Sequence, residues 1–449
     1  MTMLYITFAV FLSFVIFQTI YVLIPLFKNE KKHKVRITKN HSFSVIVPAY
    51  NEEKVIENCI EGFRQVEYKN AELLIVNDGS KDNTLRVLHE VLQLKPASRM
   101  IDTRLKHERV TGFYQSKKFP SIFVINKKNG GKADSLNAGI NFSENEIVVT
   151  LDADSILEKN SLNEMNAAFQ KKSVLACGGN VLISQAFNGS LENLKPTLKV
   201  NNVIKFQFLQ YLSSFYLHKR AQAAMNSITV IAGAFGAFRR ETLFAIKGFR
   251  KTVGEDMDIT LKLHKWIKER GNKESITFVP TALCYTECPS TLKNMFKQRV
   301  RWQKAFIDCL IYYRKCYFRK LPKKFSIFFL VDQFTIGTLS AFPVLLTPVL
   351  LYFNGGQLTL LLMLMSGAFL LFVYQSLTTM FVSYLHGLKF SKRDLLRFLL
   401  FLPIDIIVFR MLINLSFVVY GTLSYFHSPH AWDKLERSGK LTWKGAGNT

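Results

Sequence analysis

Acidic side chains are scarce in this sequence, with 33 Asp and Glu against 59 Lys and Arg, so the formal net charge is +26. Proline (12) and glycine (23) are also few for 449 residues. These numbers exclude collagen-like repeats and a Pro/Gly-rich disordered chain. What remains is a strongly basic protein that is 49% hydrophobic, and the distribution of its apolar residues decides its class.

Charge is missing altogether from two long stretches, 1–27 and 333–388, the second of which has 56 residues. Such runs predict membrane spans. No Lys or Arg precedes the first run, it is longer than the apolar part of a signal peptide, and no small-x-small cleavage pattern follows it. We therefore expect an N-terminal transmembrane anchor within 1–27, at Met3 to Phe27.

Basic clusters flank the segment between these runs. Residues 28–324 are predicted to be a cytoplasmic domain, because basic residues mark the cytoplasmic side of a span. Attraction to anionic membrane lipids accounts for the clusters better than nucleic acid does, so membrane lipids and no nucleic acid are predicted as partners. The clusters are Lys28, Lys31, Lys32, Lys34, Arg36 and Lys39 at one end and Arg314, Lys315, Arg319, Lys320, Lys323 and Lys324 at the other.

The C-terminal part, 325–426, is predicted to hold transmembrane or interfacial helices. Asn354-Gly355-Gly356 divides the uncharged stretch into two helices, about 332–353 and 358–386. Residues 395–426 form an apolar run that contains Pro403, Asp405 and Arg410 and has basic residues on both sides, so it either lies at the interface or crosses as a bent pair. A basic cytoplasmic tail, 427–449, follows.

Two further segments have ordinary interpretations beside functional ones. The aromatic run from Asn201 to Lys219 is either a core helix or an interfacial helix that docks the domain on the membrane.

The six cysteines fall in the part assigned to the cytoplasm, where thiols stay reduced. The Cys284 and Cys288 pair invites a zinc site, but its companions Cys309 and Cys316 lie in an apolar helical pattern, so neither zinc nor a disulfide is predicted.

Short β-branched runs alternate with helical spacing in the first half of the soluble segment. This pattern predicts an open α/β sheet, which binds ligands at the carboxyl ends of its strands. The predicted strands are Ser44 to Pro48, Glu72 to Val76, Ile122 to Ile125 and Glu146 to Leu151.

Carboxylates follow the fourth of these strands as Asp152-Ala153-Asp154. Paired carboxylates at the end of a buried strand are costly unless a positive group faces them, and Mg²⁺ that holds a diphosphate is a natural partner. The ordinary alternative is an N-cap for a helix that starts near Asn160. Lys132, after Gly130-Gly131, is either a solvated lysine or a phosphate ligand.

Acidic residues recur before a later helical pattern, as Glu255-Asp256. They are either an ordinary complement to a helix dipole or a carboxylate placed to accept a proton from a hydroxyl. Further on, the segment from Gln298 to Trp302 is either an amphipathic surface helix or a functional motif.

Four acidic and aromatic motifs follow one another in a fixed order: Asp78, Asp152-x-Asp154, Glu255-Asp256 and Gln298-x-x-Arg301-Trp302. This order resembles that of the membrane-embedded family 2 glycosyltransferases, the class of cellulose, chitin, hyaluronan and poly-N-acetylglucosamine synthases. The resemblance covers about 42–305. It implies an α/β fold of GT-A type, an open mixed sheet with flanking helices, joined to transmembrane and interfacial α-helices.

The resemblance also implies a role for each matching residue. Pro48, Tyr50, Glu52 and Asp78 would surround the nucleotide, Lys132 would face the diphosphate, and Asp152 with Asp154 would meet the donor and its Mg²⁺ or Mn²⁺. Asp256, next to Glu255, would be the general base, and Gln298, Arg301 and Trp302 would close over the diphosphate and the acceptor sugar.

The activity implied is inverting, metal-dependent transfer of a hexose or N-acetylhexosamine from a nucleotide sugar, such as UDP-GlcNAc or UDP-Glc, to a growing β-linked polysaccharide. Transfer of one sugar to a lipid is the alternative, and an inactive scaffold or transporter is a weaker one. The protein would be a multi-pass protein of the inner or plasma membrane with a cytoplasmic catalytic domain, and accessory export subunits would be further partners.

Two features depart from the family pattern. Gly254 stands where many relatives have Thr. The basic, hydroxyl-rich excursion from Lys95 to Pro120, between the second and third predicted strands, is missing from simpler members and has no assigned role.

Overall fold

The computed structural model describes residues 2–27, 36–190, 193–346 and 358–427. The chain divides into two compact units. Within the described residues, the sheet unit consists of 36–184 and 230–287, and the helical unit of 2–27, 185–229 and 288–427 with the gaps given above. Both units are therefore discontinuous in sequence. The predicted boundaries at 27, 324 and 426 remain a prediction.

Twelve strands are described, ten of them in one sheet of the sheet unit. The other two, β9 and β10, form a short antiparallel pair in the helical unit. The strands are β1 Phe43–Ala49, β2 Ala71–Asn77, β3 Leu94–Pro96, β4 Val110–Ser116, β5 Ile122–Lys127, β6 Ile147–Leu151, β7 Ser155–Leu157, β8 Val174–Ile183, β9 Phe187–Asn188, β10 Lys195–Pro196, β11 Phe235–Arg239 and β12 Ser275–Thr286.

The strand order in the sheet is β3-β4-β5-β2-β1-β6-β11-β8-β12-β7. Its centre is parallel: β1 pairs with β2 and β6, and β2 pairs with β5. Antiparallel pairing begins at β11 beside β6. The predicted mixed α/β sheet is confirmed. The central strands are buried and almost wholly apolar because helices cover parallel sheets on both faces.

Helices of the sheet unit follow the predicted spacing. In α2, the side chains of Ile56, Cys59, Ile60 and Phe63 are buried on one face. The helices of this unit are α2 Ile56–Arg64, α3 Thr84–Leu92, α4 Lys132–Phe142, α5 Ser161–Phe169, α8 Arg240–Ala245 and α9 Glu255–Glu269.

The excursion between Lys95 and Pro120 adds β3 and β4 to the edge of the sheet. Arg99 anchors its long connection. The guanidinium of Arg99 donates to Glu72 at 3.0 Å and to the carbonyl of Phe142 at 2.8 Å, and it lies 4.2 Å from the centroid of the Phe123 ring. A buried, paired arginine thus ties the basic excursion to the core of the unit.

A buried ion cluster fixes the turn between β5 and α4. The Lys127 ammonium, with no exposed side-chain surface, pairs with Asp78 and, at 2.6 Å, with Asp134. Both Asp78 carboxylate oxygens also accept backbone N–H bonds, from Gly130 at 3.0 Å and Gly131 at 2.8 Å. Asp78 therefore acts as a clamp on the Gly-Gly turn, where Gly131 has a φ of +95°.

Among the residues of the helical unit that the structure describes, four helices are long and apolar enough to cross a membrane. They span Ala9–Phe27, Lys323–Leu346, Leu362–Leu385 and Lys392–His427. The helices of this unit are α1 Thr2–Phe27, α6 Asn202–Ser213, α7 Lys219–Ala224, α10 Leu292–Tyr312, α11 Lys323–Ile327, α12 Leu358–Leu385, α13 Lys392–Ile404 and α14 Asn414–His427, with wider π-helical turns at Ser214–His218, Phe328–Leu339 and Asp405–Ile413.

The aromatic segment between Asn201 and Lys219 becomes α6 and its wider turn. Phe206 and Phe208 are fully buried, and the Phe206 ring stacks on that of Phe409 at 4.6 Å. Phe409 lies in the candidate span Lys392–His427, so the segment packs on that span, as either a core helix or an interfacial helix would. The predicted turn at Asn354-Gly355-Gly356, Lys28 to Lys34 and the tail from 428 onwards lie outside the described residues.

Polar side chains connect the candidate spans inside the helical unit. Arg410 pairs with Asp405 at 2.8 Å and donates to Gln375 at 3.2 Å. The Tyr21 hydroxyl donates to Asp332. Since a charge exposed to lipid is expensive, such residues face the interior of a helix bundle and pair with each other.

Replacing Lys127 with Met should destabilise the sheet unit, because it leaves the buried Asp78 and Asp134 carboxylates without their cation. The expected loss is about 3 to 5 kcal/mol, the usual cost of removing one partner from a buried ion pair. Thermal unfolding of the purified protein in detergent measures it. Lys128→Met removes an exposed lysine at the next position and should leave the midpoint nearly unchanged; equal midpoints for the two variants would contradict the clamp.

Candidate active site

Lys132 is the centre of the candidate site. It is the first residue of α4, and its ammonium lies 2.8 Å from a carboxylate oxygen of Asp152 and 2.9 Å from one of Glu255. Asp152 directly follows β6, and Glu255 opens α9. One ammonium thus brings together Asp152 and Glu255, which lie more than 100 positions apart in the sequence. The catalytic and binding roles predicted for these residues remain predictions.

Asp256 lies in the same cluster. One carboxylate oxygen accepts the backbone N–H of Gly233 at 3.3 Å, and the other accepts that of Met257 at 2.8 Å. A Cβ atom added to Gly233 would lie 3.0 Å from the Lys132 ammonium nitrogen and 3.4 Å from the Asp256 Cβ. Glycine therefore lets the backbone come close to both charged groups, which a larger residue would crowd.

The charges and burial within the cluster shift the pKa values of Asp256 and Lys132 upward for different reasons. Burial, assisted by the neighbouring Glu255 carboxylate, raises the pKa of Asp256 to about 6, against the opposing effect of Lys132. Burial alone would lower the pKa of Lys132, but the carboxylates of Asp152, Glu255 and Asp256 together raise it above its usual value. At neutral pH the cluster thus holds a permanent cation and a carboxylate with unusually high proton affinity.

Asp154 lies beyond β6, beside β12. Its carboxylate accepts a hydrogen bond from the Thr286 hydroxyl at 3.3 Å. Burial raises the pKa of the Cys59 thiol well above its usual value, and the carboxylates of Asp154, Asp152 and Glu52 raise it further. These three acidic groups therefore lie within electrostatic range of one buried thiol on α2.

The donor set for a divalent cation is small. No group of three or more His, Cys, Asp or Glu side chains placed to hold a metal occurs among the residues that the structure describes. Asp152 and Asp154 would supply two hard oxygen ligands, and the Asp152 side chain is 31% exposed. Mg²⁺ and Mn²⁺ are commonly held by one or two carboxylates together with phosphate oxygens and water, so the donor set fits such an ion when a diphosphate completes it.

Loops after β1 and β2 form the neighbouring edge of the site. Asn51, with a φ of +57°, accepts the backbone N–H of Lys81 at 2.6 Å through its side chain, while its own N–H donates to Ser80 at 2.9 Å. The Glu52 backbone N–H donates to Thr84 at 2.8 Å. Of the residues predicted around a nucleotide, Pro48, Tyr50 and Glu52 lie on this edge, whereas Asp78 is occupied in the Lys127 clamp.

The remaining predicted residues belong to the helical unit, on α10. Gln298 is buried and Trp302 is 38% exposed. Between them, the buried Arg299 guanidinium lies 4.3 Å from the centroid of the Trp302 ring. Its Nε and Nη2 have no hydrogen-bond partner among the described residues. The indole of Trp302 is therefore backed by a cation on one face.

Lys127 and Arg299 were missed by the sequence analysis. The sequence feature that could have revealed Lys127 is a charged residue at the end of a buried strand. For Arg299 it is the i, i+3 spacing to Trp302, which brings two side chains together on a helix. Both signals are weak without the fold, because most such charges point into solvent.

Two family profiles match this chain. One, described as Glycosyl transferase family 2, matches residues 44–244, and the other, described as Glycosyl transferase family group 2, matches residues 147–413. These matches include Lys132, Asp152, Glu255 and Asp256.

Relatives include two proteins named poly-beta-1,6-N-acetyl-D-glucosamine synthase. That of Staphylococcus aureus (strain COL) is 27% identical over 319 residues, which are 70% of this chain and 66% of the relative. That of Staphylococcus epidermidis is 28% identical over 293 residues, 65% of this chain and 60% of the relative. The chain thus spans slightly less than two thirds of the length of these relatives.

A solved structure shares the fold. It is a mannosyltransferase from Pyrobaculum calidifontis in complex with GDP-Man and Mn²⁺, with a TM-score of 0.55 and 13% sequence identity; the alignment covers 93% of this chain and 99% of that one. At this identity the likeness concerns the fold alone. Because the second family profile matches more than half of the sequence, the chain belongs to glycosyl transferase family group 2.

Proposed function

We propose that this protein transfers N-acetylglucosamine from a uridine diphosphate sugar to a growing β-linked polysaccharide, with inversion at the anomeric carbon. The observation that carries the proposal is the Lys132 ammonium between the carboxylates of Asp152 and Glu255, with Asp256 adjacent. The cluster offers a cation for a diphosphate and a base for a hydroxyl. The names of the Staphylococcus relatives support the choice of sugar and polymer.

Asp256 is the proposed general base. Its pKa, raised to about 6, leaves it mostly ionised at neutral pH yet more basic than an ordinary aspartate, which suits a base that removes a hydroxyl proton. The Gly233 and Met257 N–H groups fix the orientation of its carboxylate. As the acceptor oxygen attacks the anomeric carbon, the proton passes to Asp256.

Lys132 is proposed to receive the leaving diphosphate. The bond between the anomeric carbon and the diphosphate oxygen breaks on the face opposite the attack, and its electron pair stays on that oxygen. A fixed ammonium that is already held in place stabilises this new charge without reorganisation. One displacement converts an α-linked donor into a β-linked product.

Asp152 and Asp154 are the proposed ligands of Mg²⁺ or Mn²⁺. When bound, the ion would neutralise charge on the diphosphate oxygens. The roles inferred for Gln298, Arg301 and Trp302 at the diphosphate and the acceptor sugar remain predictions, as do the cytoplasmic position of the sheet unit and the involvement of export subunits.

Transfer of a single sugar to a lipid is the second candidate. It requires the same carboxylates, and the candidate membrane spans found in the described part of the chain favour an acceptor that resides in the bilayer. The product distinguishes the two candidates.

Membranes that contain the protein should convert labelled UDP-GlcNAc into a long, water-soluble polymer. UDP-Glc and GDP-Man should give little product. A chelator should abolish the reaction until Mg²⁺ or Mn²⁺ is restored. Chain length and extraction into organic solvent are the readouts. A single-sugar, organic-extractable product would support the lipid acceptor instead, and full activity in the presence of chelator would contradict the metal.

Asp256→Asn should lower the turnover number by at least about 100-fold, the lower end of what a general base contributes. Donor binding should be largely retained, because the substitution leaves Lys132, Asp152 and Glu255 in place. Glu269→Gln, which removes an exposed carboxylate from the other end of α9, is the matched control. Normal turnover of the Asp256→Asn variant would remove the base assignment.

The pH dependence of kcat/KM should show an acid limb near pH 6, because activity is lost as the pH falls through the pKa of Asp256 and the base becomes protonated. Glu255→Gln removes a carboxylate that raises this pKa, so the limb should move to lower pH. A limb that stays in place in this variant would show that another group controls it.

A further inference from the structure

Six exposed cations surround the connection between α10 and the second candidate span. We call residues 312–324 the basic turn. Cys309 to Val331 contains no acidic residue at all, and none of the six forms an ion pair within the described part of the chain. They are Arg314, Lys315, Arg319, Lys320, Lys323 and Lys324.

The basic turn is an ordered structure. Its backbone closes through the Cys316 carbonyl, which accepts the N–H groups of Lys320 at 2.8 Å and Leu321 at 3.0 Å. Beneath it, the buried rings of Tyr317 and Phe325 stack on Phe329, with centroids 5.5 and 5.6 Å away. The backbone that carries the cations is therefore held in place by hydrogen bonds and by the stacked aromatic rings beneath it, unlike the backbone of a flexible basic tail.

Phe318 occupies a strained position at the tip of this turn. Its φ is +60°, in the left-handed region that bulky residues avoid. The backbone is held there by a hydrogen bond from the Phe318 N–H to the Ser326 hydroxyl at 3.0 Å. The ring is 50% exposed, and that of Tyr312 is 59% exposed. A strained residue that is held in place and exposes an apolar ring calls for a functional explanation.

The location of the turn indicates its ligand. Lys323 and Lys324 open the candidate span Lys323–Leu346, so the other four cations and the two exposed rings lie at one end of that span. Basic side chains mixed with aromatic rings are typical of the bilayer interface, where the cations meet lipid phosphates and the rings enter the headgroup layer.

We propose that the basic turn is a binding site for anionic phospholipids, in which Arg314, Lys315, Arg319 and Lys320 hold headgroup phosphates and Phe318 inserts among the headgroups. This site is independent of the sugar-transfer site proposed above. Each cation near an anionic surface strengthens binding about fivefold. Nucleic acid is the competing polyanion, but a site joined directly to a candidate membrane span is already beside lipid.

Hydrogen exchange on the full-length protein in nanodiscs tests the proposal. Amides of residues 313–321 should exchange at least about fivefold more slowly in an equal mixture of phosphatidylglycerol and phosphatidylcholine than in phosphatidylcholine alone. Phe318→Gly, which permits the same φ and keeps every charge, should lose part of this protection because it lacks the ring.

A charge-matched pair of variants isolates the site. The variant that neutralises the turn should lose the protection by phosphatidylglycerol, whereas a control that removes four exposed lysines of the sheet unit should keep it. The two variants are Arg314→Gln with Lys315→Gln, Arg319→Gln and Lys320→Gln, and, as the control, Lys81→Gln with Lys95→Gln, Lys106→Gln and Lys117→Gln.

Three results would overturn the proposal. The first is equal exchange in neutral and anionic nanodiscs, and the second is equal protection in the two charge variants. The third is protection in detergent by inorganic phosphate or by a short oligonucleotide, without protection by anionic nanodiscs, which would assign the turn to a soluble anion or to nucleic acid.

Discussion

The ion pairs of Lys132 are the constraint on which the candidate site depends. Asp152, Glu255 and Asp256 come from two segments about 100 positions apart, and carboxylates of like charge do not gather in a partly buried pocket without a cation. Lys132 supplies it, and the close approach of Gly233 leaves room for it. Burial and the Glu255 carboxylate raise the pKa of Asp256, and the Lys132 ammonium opposes this rise. A single ammonium thus both permits the cluster to form and helps to determine how basic its members are.

A second cation shapes the turn from which Lys132 projects. Lys127 and Asp78 lie at the ends of adjacent parallel strands, and their pairing holds the N–H groups of Gly130 and Gly131 in place. Asp78 was expected near a nucleotide from the family resemblance. Here its carboxylate accepts the N–H groups of the turn that carries Lys132, and its place near a nucleotide stays a prediction.

Sequence reasoning located the four parallel strands β1, β2, β5 and β6 and the acidic residues after them, because buried parallel strands are continuous apolar runs and the residues after them stand out. Asp152 after β6 and Glu255 at the start of α9 were found in this way. It did not find the roles of Lys127, Arg99 or Arg299. Their partners, such as Glu72 and Phe123 for Arg99, lie at separations that only the folded chain defines. The order of β11, β8 and β12 was equally beyond reach, because strands that pair across long sequence separations leave no local mark in a sequence.

The interleaving of the two units has a practical consequence for expression. A fragment from 31 to 287 looks like a separable soluble domain, yet it would carry Gln185–Thr229 of the helical unit. In that fragment, Phe206 would lose the ring of Phe409 on which it stacks, and Leu198 would lose the Asp394 carboxylate that accepts its N–H at 2.9 Å. Aromatic surface would then be open to self-association. Trimming the chain to obtain a tractable enzyme would therefore create an aggregation-prone protein.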